Sequence, residues 1–348
     1  MYILGIETSC DETAASIIEI KNGKIKVLSN IVSSQIKIHQ QYGGVVPEVA
    51  ARNHIKNIMS VIEKVLSKSS PSLLRRGLEG GIDFIAVTQG PGLICALLVG
   101  TETAKTLAYV WNKPIIGVNH LAGHIYSNWV NADKPPRFPA LALIVSGGHT
   151  ELILMAGHFR FKMLGQTRDD AVGEAFDKVA KILGLGYPGG PIVSKYAKEG
   201  NSEAIKMPRP MINDNNLEFS FSGLKTSVFY QIQKDSDWEG KIPDYCASFQ
   251  QAVIDVLIAK TLKAAKQYKV KSVMLSGGVA ANQELRQQLG EAVKLGFKTQ
   301  LDAPSYHIPD LKYTTDNAAM IAAAGYFLQR YKKSALQKKI KVDCNLGL

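Results

Sequence analysis

The stretch YILGIETSCDETAASIIEI, residues 2–20, reads as two apolar strand segments, 2–7 and 14–20, joined by a polar turn whose tip carries Asp11 and Glu12. Short runs of branched and aromatic residues bounded by small polar ones are the pattern of a β-hairpin. The same plan returns in PALALIVSGGHTELILMAG, residues 139–157, around the turn Ser146-Gly147-Gly148-His149-Thr150. A second pair repeats as well. DFIAVTQGPGLICALLVGTETAKTLA (83–108) and KSVMLSGGVAANQELRQQL (271–289) each read as strand, Gly-rich turn and helix. Each half of the chain thus carries a hairpin first and a strand-Gly-helix unit later, the order expected of an internal duplication whose halves face a cleft. Helical spacing of apolar residues predicts helices over 48–68, 173–185, 244–269 and 315–333. Strands alternating with helices make the class α/β.

With 348 residues the chain exceeds what one core usually supports, so two domains are expected. The Pro-rich join NADKPPRFP (131–139) is the best boundary, and SKSSPSLLRRGLEGG (67–81) reads as a polar loop. The expected plan is domain I over 1–130, domain II over 131–314, helix 315–333 packing back on domain I, and a loose basic tail over 334–348. Lys and Arg exceed Asp and Glu by 41 − 30 = 11, which favours a polyanionic partner such as RNA, DNA or an anionic membrane. Cys10, Cys95, Cys246 and Cys344 are far apart and form no CxxC pair, which argues against a disulfide framework or a thiolate zinc site and for a reducing cytoplasm. Neither a secretory leader nor an apolar run of membrane-spanning length is evident.

The turns of the two hairpins offer backbone N–H groups and the hydroxyls of Thr8, Ser9, Ser146 and Thr150, a combination that can hold phosphate oxygens. Asp11 and Glu12 would repel a bare phosphate, so they suit a phosphate site only with a Mg²⁺ ion or an ordered water between. Gly277 and Gly278, with Asn282 one turn on, stand where a strand enters a helix and a nucleotide can approach the backbone. GYPGGP (186–191) is a second dense Gly/Pro loop, and tight-turn chemistry explains either loop equally well. Neither GxGxxG nor GxxxxGK[ST] occurs at these loops.

His120 and His124, four apart, share one helix face at metal-bridging distance, and Asp316 could add a carboxylate and leave positions open for substrate. A His pair on an apolar helix with an Asp N-cap elsewhere is also ordinary structure, so both readings stand. A zinc peptidase of the HExxH kind needs Glu at 121, where this chain has Leu121. Asp169, Asp170, Glu174 and Asp177 could meet a ribose or a metal-bound water, or complement a helix dipole. FSFSGLKT (219–226) alternates aromatics with serines and predicts a strand or loop at a substrate mouth.

Taken in order, GIETSCDET, GGVVPEVAARNH, VTQGPGLICALLVG, VNHLAGH, VSGGHTEL, DDAVGEAFDK, GYPGGP, FSFSGLKT, GGVAAN and TDNAAMIA closely resemble the motifs of the TsaD/Kae/Gcp family, tRNA threonylcarbamoyltransferases formerly described as O-sialoglycoprotein endopeptidases. The resemblance runs from about residue 2 to about residue 330, and FSFSGLKT and VSGGHTEL are closer to the bacterial and organellar branch. It implies two actin-like (ASKHA, sugar-kinase-like) domains around a nucleotide cleft. The implied reaction moves threonylcarbamoyl from threonylcarbamoyl-AMP to N6 of the adenosine 3′-adjacent to the anticodon, in tRNAs reading codons that start with A.

By the same resemblance, His120, His124 and Asp316 match ligands of an iron or zinc ion, with Mg²⁺ accompanying the nucleotide as a further option. Ile144, Val145, Ser146, Gly147 and Gly148 match the phosphate-side loop. Asp177, Gly190 and Asn282 match contacts to the adenosine part, and Asp11 and Glu12 match an acidic pair near the reacting end. Ser194 stands where many members carry Asp, Thr314 where Cys is common, and Ala122 where Glu is frequent. Implied partners are tRNA, a TsaB-like inactive paralogue and a TsaE-like P-loop ATPase, in the cytoplasm and away from membranes. Lys332, Lys333, Lys338, Lys339 and Lys341 form the most evident basic cluster for tRNA. A metallopeptidase and a non-enzymatic actin-like ATPase scaffold are the competing classes.

Overall fold

The computed structural model describes residues 1–69, 81–297, 303–332 and 340–348, in two compact units. The polar loop predicted at 67–81 lies mostly outside these residues, as do Lys333, Lys338 and Lys339. Unit 1 comprises Met1–Pro135 and Pro309–Leu348; unit 2 comprises Pro136–Ile308.

Unit 1 opens with β1 (Tyr2–Glu7), β2 (Glu12–Lys21) and β3 (Lys24–Ser34), followed by helix α1 (Pro47–Ser67), β4 (Phe84–Gly90), α2 (Ile94–Val110), β5 (Ile115–Asn119) and α3 (His120–Tyr126). Its sheet runs β3-β2-β1-β4-β5, antiparallel through β3, β2 and β1 and parallel through β1, β4 and β5. Alternation along the strands turns Leu4, Ile6, Ala15 and Ile17 to one face, where they pack with Ile58, Val61, Ile62 and Val65 of α1 and Ala104 of α2. Each buried Val, Leu or Ile side chain among them stabilises the unit by about 1.5–3 kcal/mol.

Unit 2 repeats this plan with β6 (Ala140–Val145), β7 (Thr150–Gly157), β8 (Arg160–Gln166), α4 (Val172–Ile182), α5 (Gly189–Ala197), α6 (Ser222–Ile232), α7 (Ile242–Gln267), β9 (Ser272–Ser276), α8 (Gln283–Gly296) and β10 (Ser305–His307). Its sheet order, β10-β9-β6-β7-β8, read from the other edge and with the same parallel and antiparallel pairings, matches that of unit 1 strand for strand. The duplicated pattern of the sequence is thus a duplicated topology. Leu141, Leu143 and Leu152 form its core with Phe176, Val179, Phe249, Val253 and Leu257. The segment predicted as strand or loop at 219–226 instead begins a helix at Ser222.

The chain returns to unit 1 in α9 (Ala318–Tyr331), buried continuously from Ala318 to Phe327. A helix apolar on all sides belongs inside, and α9 packs on strands of the first sheet and on α3. Residues 340–348, predicted within the loose tail, are tied down: Asp343 N–H donates to Gln89 O, and Asn119 Nδ2 donates to Leu346 O and Gly347 O. No helix of the described residues is long and apolar enough to cross a membrane.

Candidate metal and substrate sites

In unit 1 the two histidines and the distant aspartate converge. Asn119 caps α3 by accepting the Ala122 N–H at 3.1 Å, so His120 follows the end of β5 directly and His124 stacks one turn later. A Cβ on Gly123 would lie 2.7 Å from Ile321 Cδ1, and this bare position lets α9 close on α3. Tyr126 and Trp129 pack on Phe327, with ring centroids 4.9 and 5.8 Å away, and lock the two helices. Asp316 precedes α9, whose cap is Asn317 rather than Asp316. Asp316 Oδ1 lies 3.5 Å from His120 Nε2 and 3.2 Å from His124 Nε2, and the three potential ligand atoms all fall within 4.8 Å of one another.

Both ring nitrogens of the buried His124 lack a properly aligned hydrogen bond. Such an orphan is costly unless something fills it, and two imidazoles with one carboxylate are a donor set that suits Fe²⁺ or Zn²⁺. The residues therefore fit the ion implied by the resemblance. Burial pulls His124 below its usual range, against the pull of Asp316, and so keeps it in the neutral form a metal ligand needs. His120 is also penalised by burial, yet the charges of Asp316 and Glu7 carry it up to about 9 in the metal-free protein.

Asp11 and Glu12 belong to the same region. Burial, then the charges of Asp316 and Asp11, pushes Glu12 up to about 10, so it holds its proton at neutral pH in the absence of a cation. The neighbouring Cys10 thiol is also pushed up, chiefly by burial and by Asp11, which makes it an unreactive thiol. Thr8 is committed elsewhere, its hydroxyl donating to Ala96 O at 2.8 Å.

The predicted unit 2 residues gather around α4, α5 and the start of α8. Ile144 and Val145 end β6 with fully buried side chains, and Ile144 is paired with Glu151 of β7 and Ser276 of β9. Ser146, Gly147 and Gly148 form the following turn, on which Gly173 N–H donates to Ser146 O. Gly277 has φ +93°, and a Cβ there would lie 2.3 Å from Val145 O, so only glycine lets this loop meet β6. Asp177 accepts the Gly189 N–H at 2.7 Å beside Gly190; burial raises its pKa despite that bond. Asn282 caps α8 through Leu285 N–H and donates to Gln250 Oε1 at 2.7 Å and Ser194 Oγ at 3.0 Å. Ser194 is thus a hydrogen-bond partner of Asn282.

The other predicted carboxylates have structural duties. Lys178 Nζ pairs with Asp170 at 2.6 Å and Glu174 at 2.9 Å. Asp169 accepts Ser220 Oγ, Ser222 Oγ and the Phe221 and Ser222 N–H groups, starting α6 from a distant loop. Thr150 Oγ1 accepts the Val172 N–H at 2.9 Å.

Sequence reasoning missed Glu7 and His54. Glu7 is buried at the end of β1 and contacts His120; His54 lies within α1. The available signal was polarity in the wrong place: a carboxylate closing an apolar strand and an imidazole on the buried stripe of a helix.

The family model described as TsaD: tRNA N6-adenosine threonylcarbamoyltransferase matches residues 26–323. Among curated proteins, the tRNA N6-adenosine threonylcarbamoyltransferase of Bacillus subtilis is 51% identical over 327 residues, covering 93% of this chain and 90% of that protein. Its counterpart in Geobacillus thermodenitrificans is 49% identical over 350 residues, covering 100% and 96%. In fold, the chain is similar to HypF from T. kodakarensis (TM-score 0.59, 16% identity, 98% of this chain and 49% of that one). A full-length HypF in phosphate- and nucleotide-bound form gives TM-score 0.60 at 14% identity, over 97% and 47%. The metal-fitting triad, the duplicated topology and the match along most of the sequence agree: the chain belongs to the TsaD tRNA N6-adenosine threonylcarbamoyltransferase family.

Proposed function

We propose that this protein is a cytoplasmic transferase that moves threonylcarbamoyl from threonylcarbamoyl-AMP to N6 of the adenosine 3′-adjacent to the anticodon in tRNAs reading codons that start with A. The observation that carries this reading is the convergence of His120, His124 and Asp316 beside Asp11 and Glu12, in a chain matched to the family over residues 26–323. The peptidase alternative lacks a base, because Leu121 occupies the position where HExxH places glutamate.

His120, His124 and Asp316 hold an iron or zinc ion. When bound, it supplies Lewis acidity and lowers the charge penalty among the neighbouring carboxylates. N6 attacks the carbamoyl carbon, the bond from that carbon to the phosphate oxygen breaks, and AMP departs. The N6 proton passes to the Asp11–Glu12 pair. In unit 2, main-chain groups of Ile144 to Gly148 receive the phosphate, and Asp177, Gly190 and Asn282 contact the adenosine part. AMP is a good leaving group, so positioning and charge stabilisation supply most of the acceleration. The net charge of +11 suits a tRNA substrate. A TsaB-like paralogue and a TsaE-like ATPase are the proposed protein partners.

Purified protein with these partners, unmodified tRNA and threonylcarbamoyl-AMP tests the reading. Mass analysis of nucleosides should show threonylcarbamoyladenosine and release of AMP in equal amounts. Unmodified tRNA after incubation, with the adenylate shown to be intact, would overturn it.

A further inference from the structure

We propose that Glu7 is the positioning residue of the metal centre, holding the Nδ1–H of His120 so that Nε2 is the nitrogen presented beside His124 and Asp316. The inference rests on the metal reading above. Glu7 Oε2 lies 3.2 Å from His120 Nδ1, while His120 Nε2 is the nitrogen 3.5 Å from Asp316 Oδ1. A carboxylate can only accept from the ring when ionised, so the contact selects the tautomer that carries its proton on Nδ1. Ser9 Oγ, 3.1 Å from the same nitrogen, is a second acceptor that restrains the ring plane.

Glu7 is itself fixed. It is wholly buried at the end of β1, its Oε1 accepts the Ser9 N–H, and its Oε2 accepts the hydroxyl of Thr88 from β4. A buried carboxylate is costly in an apolar strand unless its oxygens are satisfied and a positive partner is near. A residue serving only to join β1 to β4 would do so more cheaply as an amide or hydroxyl. The charge is useful because an imidazole hydrogen-bonded to a carboxylate is the more basic ligand, and such outer partners commonly alter metal affinity by about 10–100-fold.

The test is Zn²⁺ affinity measured by competition with a chromogenic chelator on wild type and on Glu7→Gln, which keeps the volume and one acceptor oxygen but removes the charge. The expected result is a dissociation constant raised by about 10–100-fold. A value within about twofold of wild type overturns the proposal while leaving the metal reading intact. Wild type that takes up no Zn²⁺ overturns both. Should Glu7→Gln fail to fold, ¹⁵N-histidine spectra of Zn²⁺-loaded wild type decide. They should show His120 protonated at Nδ1 and metallated at Nε2, and metallation through Nδ1 overturns the proposal.

Discussion

Thr13 Oγ1 and His54 Nδ1 meet at 2.8 Å, and the other nitrogen of the same ring lies 3.0 Å from the Cys10 carbonyl oxygen. A carbonyl only accepts, so Nε2 carries the proton and Nδ1 accepts from the threonine hydroxyl. The buried imidazole is therefore a neutral strut between α1 and the turn that carries Asp11 and Glu12, and burial keeps its pKa below 6.5. His54→Ala removes both bonds and orphans the Cys10 carbonyl. It should cost on the order of 3 kcal/mol and lower the thermal midpoint by several degrees. It should also slow transfer while metal content stays at the wild-type level, because the ligands lie on other elements. An unchanged midpoint and rate would show that the strut holds nothing.

Metal loading gives a second prediction. An ion that binds only the folded state at a hundredfold excess over its dissociation constant stabilises by about 2.7 kcal/mol. Zn²⁺ should therefore raise the thermal midpoint of wild type, and a chelator should reverse the rise. His124→Ala and Asp316→Asn should show no response to either and should contain less than a tenth of the wild-type metal by elemental analysis. A full response in His124→Ala would place the ion elsewhere.

The parts of this architecture legible in the sequence share a cause: short-range pattern. The hairpin 2–20 and its echo at 139–157 announce themselves because strand alternation and turn chemistry act over a few residues, and α3 presents His120 and His124 through simple helical spacing. Asp316 could be proposed as a third ligand, but its approach depends on Gly123 admitting Ile321 of α9, a packing fact with no local signature. The strands β3 and β8 escaped notice because each is half exposed and polar, so neither shows a clean apolar run. FSFSGLKT misled for the opposite reason. Its alternation is genuine, but Asp169, more than fifty residues earlier, supplies the cap that turns the chain into a helix.

That remote cap is testable. Asp169 satisfies two main-chain N–H groups and two hydroxyls at the start of α6, work ordinarily done by a residue adjacent to the helix. Asp169→Ala should cost about 1 kcal/mol, the usual loss for a removed cap, and Asp169→Asn should fall between it and wild type. Hydrogen exchange should speed up at the first turn of α6 and stay unchanged in α7. Equal protection of α6 in all three proteins would remove the capping role.

Glu151 supplies a pH prediction of unusual sign. It stands on β7 opposite Ile144 and Gln166, with Oε2 buried and without a hydrogen-bond partner, and burial raises its pKa from 4.5 to about 7. Between those values the folded chain holds a proton that the unfolded chain has released, so stability falls as pH rises. Its contribution is complete below pH 4.5 and lost by about pH 7, a change of about 3 kcal/mol at 1.36 kcal/mol per unit. Glu151→Gln cannot ionise. Its unfolding midpoint should therefore lack the component that declines across this window in wild type, whatever constant offset the amide introduces. Parallel curves for the two proteins from pH 4.5 to 7 would mean that Glu151 finds water or a partner when it ionises, and that burial costs it nothing.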